Sequence, residues 1–287
     1  MTTYASGAST APATSRAMPR HACDTHFHVF DDRFPRPPGA VVNPPPATAS
    51  DYLGFAVTMG IECGVVVQPS TYGTDNACLL DALGKLGPSF RGVAVVDLDV
   101  TDDELARFHR GGVRGVRFNT RRPGPLTLRM AEPLAQRIAP LGWHIQLHVG
   151  AEEITAYADV LAGLPVPVVF DHLGGVDPRG SCGKAAIAVV CKLLERRRAY
   201  VKISGLYHVT RVGPPGYEDA GELARRYAAI APDRLLFGTD WPHPSPGPFG
   251  LPSDPLMLER TIDFAGEAWR TMLVDNPERL YGFGQAR

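Results

Sequence analysis

The chain has 287 residues, with 29 Lys or Arg against 30 Asp or Glu, for a formal net charge of -1 at pH 7. At 44% hydrophobic residues it can bury a substantial core, as one large domain or two small ones, which excludes disorder of the whole chain. No cationic excess exists to neutralise nucleic-acid phosphates, and no apolar run reaches the roughly 18 residues of a spanning helix, so neither nucleic acid nor membrane is an expected partner.

In chain order, residues 1–20 (MTTYASGASTAPATSRAMPR) are small, polar and proline-bearing, without a continuous apolar stretch. They predict a flexible N-terminal tail rather than a signal peptide. Five cysteines, Cys23, Cys63, Cys78, Cys182 and Cys191, form no CxxC pair. They read as free, mostly buried thiols, and a cytoplasmic setting is expected.

The body, residues 21–287, alternates short apolar runs with amphipathic stretches. Strands are predicted at 21–30, 63–70, 91–99, 113–119, 143–150, 167–174, 199–206 and 234–241. Helices are predicted at Asp75 to Leu86, Thr101 to Arg110, Arg129 to Leu141 and Glu152 to Leu164. Three more fall at Gly183 to Arg198, Tyr217 to Ile230 and Pro255 to Ala265. Thr101 with Glu104 has the spacing of a capping box. The proline-rich segment 33–50 can be neither helix nor central strand, and it follows the first strand, where it would rim a mouth.

Continuous apolar strands alternating with helices imply a parallel sheet covered by helices. Eight such units in about 250 residues fit an α/β fold, a single-domain (β/α)8 TIM barrel. The competing arrangement is a doubly wound open sheet; its dinucleotide-binding form would need a GxGxxG turn that does not follow the first strand.

A barrel of this kind carries its chemistry at the C-terminal ends of its strands. The first strand ends Asp24-Thr25-His26-Phe27-His28, and a period of two puts His26 and His28 on one side with Asp24 below them. The fifth ends at His148, with Gln146 on the same side; the sixth ends at Asp171-His172 and the eighth at Thr239-Asp240-Trp241. Each alone has a plain structural reading, as a hydrogen-bonded buried histidine or an aspartate capping a turn. Their convergence from four strand ends points to a site. Neutral imidazoles with a carboxylate suit a divalent ion, zinc ahead of manganese, which would lower the pKa of a bound water and polarise a carbonyl. His172 is then left over as acid/base or oxyanion donor, while Asp240 touches the metal and takes the water's proton.

DTHFH at the first strand, His148, FDHLGG and LLFGTDWPHP resemble the amidohydrolase superfamily, in its amidohydrolase-2 branch. VVVQPSTYGTDN, VRGVRFN, VKISGLYH and DNPERLYGF are similar to the subgroup holding 2-pyrone-4,6-dicarboxylate lactonase, sulfomuconolactone hydrolases and sugar-lactone hydrolases or isomerases. The resemblance implies lactone hydrolysis in a (β/α)8 barrel, and one metal on His26, His28, His148 and Asp240. The pyrone-dicarboxylate lactonase works without metal and has no histidine at the fifth strand; the sulfomuconolactone hydrolases, associated with zinc, match better there. A metal-free site, with the imidazoles polarising the carbonyl directly, is the alternative. The fourth strand ends in Asn119, without a lysine or glutamate to bridge two metals, so a binuclear centre is not expected.

Arg114, Arg117, Arg121 and Arg122 crowd the fourth strand and the loop after it, either as a solvated loop or as a rim for an anion. Arg117 alternates with Asn119 and is the expected inward anchor, with Arg122 in the loop. Ser70, Thr71 and Tyr72, and Tyr207 and His208, are further substrate-binding candidates; Trp241 and His243 would wall the pocket. The pyrone-dicarboxylate enzyme has an arginine near the position of His208, so another carboxylate- or sulfonate-bearing substrate is expected.

The expected function is hydrolysis of a small anionic lactone, sulfomuconolactone-, pyrone-dicarboxylate- or muconolactone-like, in aromatic-acid catabolism. A metal-dependent non-oxidative decarboxylase would instead release carbon dioxide, and a sugar-lactone isomerase would leave the mass unchanged. A non-catalytic binding protein would leave the substrate intact. A homo-oligomer is compatible with the sequence.

Overall fold

All eight predicted strands form, and each pairs in parallel with its neighbour in sequence in the computed structural model, which describes residues 16–37, 43–122, 124 and 126–284. They are β1 (Cys23–Phe27), β2 (Cys63–Val67), β3 (Phe90–Ala94), β4 (Val113–Asn119), β5 (His144–His148), β6 (Val168–Phe170), β7 (Ala199–Ile203) and β8 (Leu235–Phe237). The helices between them are α1 (Ala49–Met59), α2 (Ala77–Leu86), α3 (Asp102–Arg110), α4 (Ala131–Ile138), α5 (Ala151–Ala156) and α6 (Ala158–Gly163). There follow α7 (Gly183–Glu195), α8 (Leu206–Val209), α9 (Glu218–Ile230), α10 (Asp254–Ala265), α11 (Trp269–Leu273) and α12 (Asp275–Tyr281). Parallel neighbours need a crossover between them, and the helices supply it while covering the outer face of the sheet.

The ring closes just beyond the ends of β1 and β8. His28 N donates to Trp241 O at 2.8 Å and Asp240 N to His26 O at 2.8 Å, while Thr25 Oγ1 donates to Phe237 O at 2.6 Å. Buried Asp24 clamps the seam, accepting from Thr239 N at 3.0 Å, Thr239 Oγ1 at 2.6 Å, His26 N at 3.0 Å and Tyr52 OH at 3.0 Å. The architecture is therefore a closed (β/α)8 barrel. Its lower interior is filled by Cys23, Cys63, Val65, Val67, Val93, Val169, Tyr200 and Leu236, with Tyr281 and Phe283 from the C-terminal segment. Side chains pack this interior, so the polar groups concentrate at the upper mouth.

The sequence reading missed α1. Ala49, Tyr52, Ala56 and Met59 are its buried stripe, and Thr48 with Asp51 forms its capping box. Gly54 and the β-branched Val57 and Thr58 lower its intrinsic propensity; burial against the barrel overrides that. The non-helical segment expected over 33–50 thus ends at Thr48. The predicted helix 152–164 divides at Tyr157, and 129–141 is helical as α4 flanked by 3-10 turns. The short α8, and α11 and α12, were also not anticipated.

Of the expected tail, residues 1–15 lie outside the described residues. Met18 packs against the core and Arg16 pairs with Asp263 at 3.3 Å. Among the described residues, no helix is long and apolar enough to cross a membrane.

Gly238 lets β8 approach β1. A Cβ there would lie 2.6 Å from His26 Cβ and 3.3 Å from both His26 N and Ser204 Cβ, so backbone as well as side chain would have to move. Gly238→Ala is expected to cost about 1–3 kcal/mol, read as a lower urea midpoint. An unchanged midpoint would mean that the seam has room to spare.

Candidate active site

Three ligand atoms converge above the seam. His26 Nε2 and His28 Nε2 stand 3.3 Å apart, and Asp240 Oδ1 lies 3.5 Å from the first and 3.4 Å from the second. His28 Nδ1 donates to Val67 O at 2.7 Å, which leaves its Nε2 as a lone pair. His26 Nδ1 lies 3.1 Å from Asp171 Oδ1; donation there turns the second Nε2 lone pair toward the same point. Lone pairs facing one another so closely call for a cation between them. Donors about 2.0–2.1 Å from a tetrahedral zinc stand roughly 3.3–3.4 Å apart, so the triangle has the edges such an ion requires. His26, His28 and Asp240 can therefore hold a metal.

His148, the fourth expected ligand, is not within this triangle. Its ring meets His172 edge-on at 5.0 Å between centroids, and its Nδ1 is buried without a hydrogen-bond partner. It lines the cavity beside the triangle.

Electrostatics keep these groups in the right forms. Burial drives the His26 imidazole well below its ordinary pKa and pushes His148 and His172 down to about 3, so all three are neutral ligands or hydrogen-bonding groups. Burial would raise the Asp240 carboxyl, but the neighbouring His172 and then the hydrogen bond from His208 outweigh it and hold it well below the usual range. Asp240 has φ 65°, a left-handed conformation that a non-glycine residue adopts at a cost of about 1–3 kcal/mol. That turn, rather than a strand period, aims Oδ1 at the imidazoles. Its other oxygen, Oδ2, accepts from Tyr207 OH at 2.5 Å and lies 3.3 Å from His208 Nε2. Burial first, then the Asp240 charge, raise the Tyr207 phenol far above its ordinary value, so it remains a donor.

His172, also at positive φ (50°), follows the end of β6. Ser204 Oγ lies 2.9 Å from its Nδ1; donation by the hydroxyl leaves Nε2–H pointing toward the cavity, 3.8 Å from Asp240 Oδ1. Beneath it, Asp171 is fully buried among four donors. Oδ1 meets His26 Nδ1 and, at 3.3 Å, Lys202 Nζ; Oδ2 accepts from Arg117 Nε at 3.3 Å and Gln146 Nε2 at 3.1 Å. Burial would raise this carboxyl, yet His26, Lys202 and Arg117 hold it well below the usual range. Burial pushes the Lys202 ammonium down to about 8 against the opposing Asp171 charge.

A cavity of about 290 Å³ opens over the triangle. His28, His148, His172 and Asp240 form part of its wall, and Arg117, Asn119, Arg121, Arg122, Ser70, Thr71 and His208 surround them. Arg122 Nη2 is tied to Ser245 Oγ at 2.7 Å, and Asn119 Nδ2 to Ser70 Oγ at 2.9 Å. Arg117 spends Nε on Asp171 and Nη1 on Gln68 O at 3.3 Å.

Five candidate contacts stand outside the cavity wall. Tyr72 turns its hydroxyl to Asp31 N at 3.0 Å, and Tyr207 lies behind Asp240. Arg114 points away, donating to His109 O and Val113 O. Trp241 packs against Tyr52 and Phe55. His243 buttresses the rear, 3.3 Å from Tyr207 OH and 2.9 Å from Asp254 Oδ1. Among the described residues of 33–50, none lines the cavity; the neighbouring Phe30 does.

The roles of Lys202, Ser204 and the Asp171 carboxylate were not assigned from sequence. A lysine within the apolar run AYVKIS, on the same strand face as Ser204, was the available signal for the first two.

A closed barrel with imidazoles and carboxylates gathered at its strand ends is the architecture of an amidohydrolase. The chain belongs to the amidohydrolase family, which it matches over residues 23–283. It is 33% identical over 275 residues to the 4-sulfomuconolactone hydrolase of Hydrogenophaga intermedia, covering 92% of this chain and 90% of the relative. It is 34% identical over 278 residues to the 2-pyrone-4,6-dicarboxylate hydrolase of Comamonas testosteroni, covering 92% and 91%. Among solved structures, an Acinetobacter baumannii chain described as a 2-pyrone-4,6-dicarboxylic acid hydrolase with citric acid bound superposes with a TM-score of 0.81 at 25% identity. The match covers 91% of this chain and 99% of that one.

Metal retention tests the triangle. His26→Ala and Asp240→Asn are expected to be isolated nearly free of metal, whereas His148→Ala retains one ion with affinity reduced about ten- to hundredfold. Elemental analysis and chelator competition read both; full retention in His26→Ala would dismiss the triangle as the metal site.

Proposed function

We propose that this amidohydrolase opens a small lactone bearing carboxylate or sulfonate groups, as a step in the breakdown of aromatic acids. The observation that carries the reading is one cavity that has His28 and Asp240 of the triangle, together with His172, in its wall and Arg117, Arg121 and Arg122 around them, with His26 buried directly behind. The names of the relatives agree with it. A divalent ion at the triangle, zinc rather than manganese given two imidazole donors, supplies a Lewis acid and a water of lowered pKa. The five cysteines are free, which suits a reducing, cytoplasmic setting.

The protein's own groups do the rest. The arginines and Asn119 hold the anionic substituents, so the lactone enters with its carbonyl toward the triangle. Asp240, ionised and fixed by Tyr207, accepts a proton from water. The water oxygen bonds to the carbonyl carbon while His172 Nε2–H meets the developing oxyanion. The ring C–O bond then breaks and the departing oxygen takes the proton from Asp240, leaving an open-chain acid. The balance is one lactone and one water consumed per product.

Lactone turnover followed by absorbance at neutral pH tests this. Asp240→Asn is expected to lower kcat by about 10²–10⁴. His172→Gln is expected to lower it by about 10²–10³. Arg122→Met should act mainly on KM. Undiminished hydrolysis by Asp240→Asn would remove the mechanism, and carbon dioxide release in place of ring opening would assign a decarboxylase.

A further inference from the structure

The mechanism leaves one buried charge without a task. Lys202, on β7, is 0% exposed, and its ammonium lies 2.8 Å from Gln146 Oε1, 3.2 Å from His26 Nδ1 and 3.3 Å from Asp171 Oδ1. Sealing an ammonium in a barrel interior is costly unless its charge is matched and its donors are met. Asp171 matches the charge, and Gln146 meets a donor.

The position matters as much as the charge. His26, Asp171 and His172 form a second set whose ligand atoms lie within 4.8 Å of one another, sharing His26 with the first. Lys202 Nζ touches two members of that set, His26 Nδ1 and Asp171 Oδ1. Two of the three ligands that a second cation would need are thus already met by a cation from within the chain. Arg117 reaches the same carboxylate from the other side, at Oδ2. Asp171 therefore faces two side-chain cations as well as the imidazole.

We propose that the Lys202 ammonium is a resident cation of the site: it balances Asp171, closes the His26–Asp171–His172 set to a second divalent ion, and weakens the hold of the His26–His28–Asp240 triangle on its single ion. Lys202 is a positioning residue that acts through Asp171 and His26. The sign of its effect follows from Coulomb's law. A fixed positive charge beside His26 repels a cation bound on the other edge of the same ring, and burial leaves that repulsion poorly screened. A purely structural lysine would act the other way, because its loss would loosen His26 and weaken metal binding.

The inference rests on the proposed metal reading, and zinc affinity separates the two. Zinc dissociation constants would be measured by chelator competition on four apo proteins: wild type, Lys202→Met, Asp171→Asn and the double variant Asp171→Asn/Lys202→Met. The expected result is one zinc per wild-type chain. Removing Lys202 should tighten zinc binding about tenfold or more, both in the wild-type background and in the Asp171→Asn background. The double variant buries neither charge of the pair, so it reports even if Lys202→Met alone fails to fold. Unchanged or weaker zinc binding on removing Lys202, or two zinc ions in wild type, would overturn the inference. Wild type that binds no zinc at all would instead remove the metal reading, and the role of Lys202 with it.

Discussion

A carboxylate sealed in a protein interior needs a donor for each lone pair it presents, and Asp171 meets this requirement at the centre of the barrel. His26, Lys202, Arg117 and Gln146 surround it, one from each of β1, β7, β4 and β5. Because the buried charge is tolerated only with those partners in place, it fixes their side chains together. Through Oδ1 it sets the ring of His26, a candidate metal ligand; through Oδ2 it sets Arg117 in the cavity wall. Both side chains are thus held by one group.

That arrangement needs a closed ring, since donors from β1 and β7 meet around Asp171 only if β8 returns to β1. Asp24 and Thr239 make the closure, and Gly238 permits the close approach. The backbone beyond the strands then leaves its regular course. His172, Leu173, Asp240 and His243 all hold positive φ, a concentration of strain around the cavity that the surrounding packing must sustain. Conformations of this kind aim side chains where strand geometry cannot.

The likeness to lactone hydrolases gains its meaning from the same geometry. An amidohydrolase barrel is compatible with several reactions, because chemistry resides in the site and not in the fold. Here neutral imidazoles, an ionised Asp240 and three arginines share one cavity. Under the proposed reaction, these groups would supply proton acceptance, oxyanion stabilisation and anion recognition within one cavity.

Much of this was legible in the amino-acid order. Local apolar periodicity specified eight strands, and alternation with helices specified a barrel, since both signals are carried by neighbouring residues. The HxH period of two put His26 and His28 on one side, and His172 and Asp240 were visible as polar residues at strand ends. The helix α1 was not legible, because its stability comes from burying Tyr52 and Met59 rather than from propensity. Tyr72 and Tyr207 looked like cavity residues because both follow strands, yet their hydroxyls turn to Asp31 and Asp240. Lys202 stood in the apolar run AYVKI, but its partners His26 and Gln146 are 176 and 56 residues away. The sequence by itself determined the barrel and named the candidate site side chains, through short-range patterns of hydrophobicity and residue type. Only the tertiary structure decided which of them meet, which carry charge and which face the cavity, because those properties depend on burial and on partners from distant strands.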